Sequence, residues 1–136
     1  MNKRHVSNQE LCQEFDRLCN EKGIVVPMTE YIWYETSTNK FELVSREEMK
    51  GNIISPFFVA PLVSESGEWL PIGSFQIENH KYGWTRCGTE KMGDDWRAFV
   101  GGGDFEEIWD DIATTEANAR QKMLNYLIAE GKITVL

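Results

Sequence analysis

Two helical stripes stand at the ends of this chain, and nothing between them can carry either one on. Near the start, Leu11, Phe15, Leu18 and Cys19 follow one another at spacings of four, three and one, which gathers them on one side of a helix. Near the end, Met123, Leu124, Leu127 and Ile128 do the same, with the aliphatic stem of Arg120 at the edge of the stripe. The four prolines, Pro27, Pro56, Pro61 and Pro71, all fall in the first 71 residues, and Pro56 and Pro61 exclude a continuous helix or central strand over 52–71. An amphipathic helix must bury its stripe, and the one large apolar surface left to receive two of them is a sheet. The predicted architecture is therefore α+β. It is a single domain over 1–136 with a mostly antiparallel sheet packed against the N-terminal and C-terminal helices, and with residues 1–6 as a flexible tail.

Local signals place the elements. Ser7 and Glu10 form a Ser-x-x-Glu capping box for the first helix, and Gly23 stops it. Ile24-Val25-Val26 reads as a short strand. Tyr31–Tyr34 and Phe41–Val44 flank Ser37-Thr38-Asn39-Lys40, which has turn composition, so a hairpin is expected. Ser45 and Glu48 repeat the capping pattern before one or two helical turns. Ser64–Leu70 reads as a short helix, although Gly67 costs it about 1 kcal/mol relative to alanine. Ile72–Glu78, Tyr82–Thr89 and Trp96–Val100 are strand-like and joined by short links at Asn79-His80-Lys81 and Met92-Gly93-Asp94-Asp95, which predicts an antiparallel meander. Thr114 or Thr115 caps the last helix and Gly131 ends it. Ile133–Leu136 closes as a strand or packs under the sheet.

Reactive chemistry is sparsely supplied. The three cysteines, Cys12, Cys19 and Cys87, are odd in number and lack C-x-x-C spacing, and the two histidines are His5 and His80. No disulfide scaffold, metal site or cofactor is expected from these, and reduced host cytoplasm is the expected compartment. Cys12 and Cys19 share one side of a helix and read as small hydrophobes. Gly101-Gly102-Gly103-Asp104 lacks the endings of phosphate-binding loops and reads as a surface loop. The longest apolar run, Phe57–Val63, contains Pro61, so no membrane span is expected. Neither histidine sits in a motif with Ser or Cys, so an enzyme ranks below binding functions.

Charge is the most uneven property. The chain has 14 basic and 22 acidic residues, a net charge of −8, which disfavours direct nucleic-acid binding. Within 90–116, nine acids (Glu90, Asp94, Asp95, Asp104, Glu106, Glu107, Asp110, Asp111, Glu116) face two bases, Lys91 and Arg97, so this stretch is net −7 and the remainder −1. Phe105, Ile108, Trp109 and Ile112 have helical spacing, giving one apolar stripe and one acidic face if the segment is a helix. The resulting expectation is a non-enzymatic binding protein that docks a basic host protein through Asp94, Asp95, Asp104, Glu106, Glu107, Asp110 and Asp111. The alternative uses the tryptophans, five in all: Trp84 and Trp96, with Arg97 (or Arg86 beside Trp84), would hold a planar, nucleotide-like ligand. An exposed edge strand or tryptophan patch could also support a homodimer.

Two segments carry a family likeness. One is Ala60-Pro61-Leu62, then Ser64-Glu65 and Glu68-Trp69-Leu70-Pro71. The other is Thr115-Glu116-Ala117-Asn118-Ala119-Arg120, then Lys122-Met123-Leu124 and Tyr126-Leu127-Ile128. With Gly83-Trp84 between them, they resemble a diffuse group of small uncharacterised proteins from phages and mobile elements of gut bacteria, over roughly residues 53–131. The resemblance implies a small α+β protein and carries over no catalytic residues.

Overall fold

The computed structural model describes residues 5–49, 56–70, 73–75, 85–102 and 107–136. The fold is α+β, and every strand pairing among the described residues is antiparallel.

Helix α1 (Gln9–Lys22) begins one residue later than the capping box predicts. Asn8 is the cap, its side chain accepting from the Leu11 amide at 2.9 Å. Ser7 is buried instead, with its hydroxyl 3.3 Å from both the Ala117 carbonyl and Gln121 Oε1. Gly23 ends the helix at φ 68°, a left-handed conformation that glycine adopts without steric cost. Ile24–Val26 forms no strand: Ile24 is buried while Val25 stands 86% exposed. The expected hairpin is present as β1 (Tyr31–Ser37) and β2 (Lys40–Ser45), turning through Asn39 at φ 61°. A single turn, α2 (Arg46–Met49), follows. Strand β3 (Phe57–Ala60) pairs with β1, completing a three-stranded sheet of order β2-β1-β3. Next come α3 (Val63–Trp69), β4 (Gly73–Phe75), β5 (Thr85–Met92), β6 (Asp95–Gly102), β7 (Glu107–Ala113) and α4 (Glu116–Ala129). The last four strands form a second sheet in sequence order, which is the meander expected from short links.

Three further expectations are corrected. Among the described residues the strands form two sheets, where one was anticipated. Residues 107–113 are a strand, where the spacing of their apolar residues suggested a helix. Val6, placed in a tail, is buried at 4% exposure and bridges Leu62.

Helix α4 is the centre of the molecule. It lies against α1, α3 and strands β5, β6 and β7, and buries residues around most of its circumference: Ala117, Ala119, Gln121, Met123, Leu124, Asn125, Leu127 and Ile128. The larger core joins this helix to Phe15, Leu18 and Cys19 of α1 and to Cys87, Ala98 and Val100 of the second sheet. A smaller core, Val6, Cys12, Phe58 and Ala60, sits against the face of the first sheet that carries Tyr31, Trp33 and Leu43.

Candidate functional site: a groove beside Trp96

Successive residues of a strand point to opposite faces, and β6 separates its chemistry by that rule. Trp96, Ala98 and Val100 face α4 and pack into the larger core. Arg97 and Phe99 face outward, the guanidinium lying 5.3 Å from the Phe99 ring centre. Outward too are Glu90 and Asp110, whose carboxylates accept from Arg97 at 2.9 and 3.2 Å. Desolvation alone would lower the guanidinium's pKa; these two carboxylates more than reverse that, so it is raised. Trp96 and Arg97 therefore cannot close on one ligand. Their adjacency within a predicted strand already carried that information.

On the inward side, Trp96 borders a groove of about 690 Å³ lined by His5, Leu62, Val63, Ser64, Lys91, Thr115, Glu116 and Arg120 as well. Five segments meet there. Residues 62–64 begin α3. Lys91 reaches from β5, its ammonium 5.2 Å from the Trp96 ring centre. Thr115 caps α4, accepting from the Asn118 amide at 3.2 Å. Glu116 is held by Arg120 Nη2 at 2.8 Å and by the Thr89 hydroxyl at 3.3 Å. Arg120 Nη1 donates to the Val63 carbonyl at 3.2 Å, tying α4 to α3. The guanidinium occupies the space that a side chain at position 67 would need, which is why α3 carries Gly67 in its middle. With Lys91 and Arg120 against Glu116, the groove holds two permanent cations and one carboxylate, opposite in balance to the acidic chain around it.

Among the described residues the acids do not share one face. Asp94 and Asp95 are exposed at the β5–β6 turn. Asp110 points outward to Arg97, whereas Asp111 lies on the other side of β7 with Lys122 Nζ 3.5 Å away. Glu107 opens β7. Asp104, Glu106, Trp84 and His80 lie outside the described residues. The thiols of Cys12, Cys19 and Cys87 are buried, and burial pushes them up to about 12, 11 and 12. Among the described residues no cluster of three or more His, Cys, Asp and Glu could hold a metal ion, and no helix is long and apolar enough to cross a membrane.

Comparison with family models, curated proteins and solved structures finds no match to this chain. The groove must be read from its chemistry. Sequence reasoning named Trp96 but missed Lys91, Glu116, Arg120 and His5 as its neighbours. The missed signal in Arg120 was a charged residue on the buried side of a helix, placed opposite a glycine in a second helix.

Proposed function

We propose that the groove beside Trp96 binds a small planar anion, of nucleotide-like chemistry, and that the protein acts by holding this ligand. The observation that carries the reading is the meeting of Trp96, Lys91 and Arg120 in one groove within a chain of net charge −8. Its volume falls in the range of small-molecule sites, roughly 300–1,000 Å³. An indole offers a stacking face to a planar ring, and the Lys91 ammonium, which lies over the Trp96 ring, would yield that face to the ligand and pair with its anionic substituent. Arg120 is spent on Glu116 and Val63, so it shapes the wall and contributes field more than direct contact. The likeness to phage and mobile-element proteins would set this activity inside a host cell.

The test is a tryptophan-fluorescence titration with mono-, di- and triphosphate nucleotides and with inorganic phosphate. At least one nucleotide should change the emission, with affinity falling as salt rises. Trp96→Leu should abolish the response, and Lys91→Gln should weaken binding about tenfold, the worth of roughly 1.4 kcal/mol. Silence across the panel, or a response that survives Trp96→Leu, removes the reading.

Docking of a basic protein retains one point of support. Asp94 and Asp95 are exposed at the hairpin tip and form no ion pair among the described residues. Asp94→Asn with Asp95→Asn would weaken such a complex at low salt and leave nucleotide binding unchanged.

A further inference from the structure

Strand β7 is the edge of the four-stranded sheet among the described residues. An edge strand presents unpaired amides and carbonyls, and a long one invites pairing with another chain. At Ile112 both groups are already taken by side chains of this protein. Its amide donates to Asp111 Oδ1 at 2.8 Å, and its carbonyl accepts from Lys122 Nζ at 2.9 Å. The two side chains also meet each other, Nζ to Oδ2 at 3.5 Å. One carboxylate and one ammonium thus close the backbone of one residue from two directions.

Alternation along an antiparallel strand makes Asp110 the next residue inward whose backbone groups face the same edge. A second copy adding to this edge about a two-fold axis at Asp110 would set Ile108 against its partner's Ile112, and Asp110 against its partner's Asp110. Ile108 and Ile112 are 36% and 49% exposed, so their side chains are available to that pairing, with Ile108 at the register shift between Trp109 and Glu107. The backbone at Ile112 is not.

We propose that Asp111 and Lys122 form a lock on the edge of β7, and that this lock prevents a second copy of the chain from adding to the sheet through the Ile108–Ile112 segment. The lock is independent of the groove, since neither residue lines it.

Lys122→Met with Asp111→Ala keeps the aliphatic stem of Lys122 and removes both lock groups, so it should preserve the fold and open the amide and the carbonyl of Ile112. Sedimentation equilibrium should find the wild type monomeric and the variant self-associating about tenfold or more tightly than wild type. Adding Asp110→Thr, which removes the like-charge apposition, should strengthen the dimer further. A folded protein carrying Asp111→Ala, Lys122→Met and Asp110→Thr that remains monomeric overturns the proposal, as does a wild type already paired through β7. Hydrogen exchange on the wild type gives a second reading that does not depend on any variant folding. The Ile112 amide should exchange more slowly than that of Asp110, its neighbour on the same edge. Equal rates would show that the lock does not form.

Discussion

Gly67 stands inside a seven-residue helix, a position where alanine would ordinarily add about 1 kcal/mol of stability. Here the Arg120 guanidinium fills the space over the glycine while bonding to Val63 and Glu116. A methyl group at position 67 must push Nη1 off the Val63 carbonyl. Breaking a hydrogen bond from a charged donor that is largely buried costs about 1.5–3 kcal/mol, which exceeds the helical gain. Gly67→Ala should therefore lower the urea midpoint. In an Arg120→Ala background the same change should raise it, because the obstacle is gone and the helical preference acts alone. Urea denaturation of the four proteins of this cycle decides the matter, and the same sign in both backgrounds would show that the two residues are not coupled.

Between elements, the docking of α1 on α4 is fixed by polar groups that a hydrophobicity pattern treats as outward. Gln121 Nε2 donates to Asn125 Oδ1 at 3.0 Å, and Asn125 Nδ2 donates to the Leu11 carbonyl at 3.1 Å. Gln121 and Asn125 are 0% and 4% exposed. Asn125→Leu leaves the Gln121 amide and the Leu11 carbonyl without these partners in a low-dielectric contact, so a loss of about 2–4 kcal/mol is expected from denaturant titration. A loss below about 1 kcal/mol would mean that water or a shifted helix satisfies both groups. The end of α1 at Gly23, the first hairpin and α4 were legible because their caps, turn residues and stripes are local, whereas the start of α1 was placed one residue early, at Ser7 where Asn8 is the cap. The full burial of α4 was not legible, since it depends on being enclosed by helices and a sheet that lie far apart in sequence. Strand β7 was misread for a different reason. Each of its faces mixes classes, Asp110 and Ile112 outward, Trp109, Asp111 and Ala113 inward, and the register with β6 shifts at Ile108. The period of two therefore vanishes from the hydrophobic pattern, and the spacing of Phe105, Ile108, Trp109 and Ile112 imitates a helix.

For the molecule as a whole, the two cores are not separable units. Helix α1 gives Cys12 to the smaller and Phe15, Leu18 and Cys19 to the larger, and β3 gives Phe58 and Ala60 to one and Val59 to the other. Loss of either core removes support from the other, so a single cooperative transition is expected. The thiols report on both cores at once. In the folded chain Cys12 and Cys87 are held up to about 12 and Cys19 up to about 11, each chiefly by burial, with Asp16 adding to the rise at Cys19. Their ordinary value is 9.0. Above that pH the unfolded chain releases thiol protons that the native chain keeps, so the unfolded state binds fewer protons and stability falls with rising pH. The contribution is whole below pH 9 and is lost as pH climbs through the folded values of about 11 to 12. A variant with all three cysteines replaced by alanine should be less stable at pH 8, because it leaves cavities in both cores. Its deficit should shrink by pH 10, because the wild type alone carries the thiol penalty. Parallel stability profiles for the two proteins between pH 8 and pH 10 would mean that the thiols reach solvent in the folded state. Native-state labelling would then be fast at every cysteine, against the slow reaction that burial in two linked cores requires.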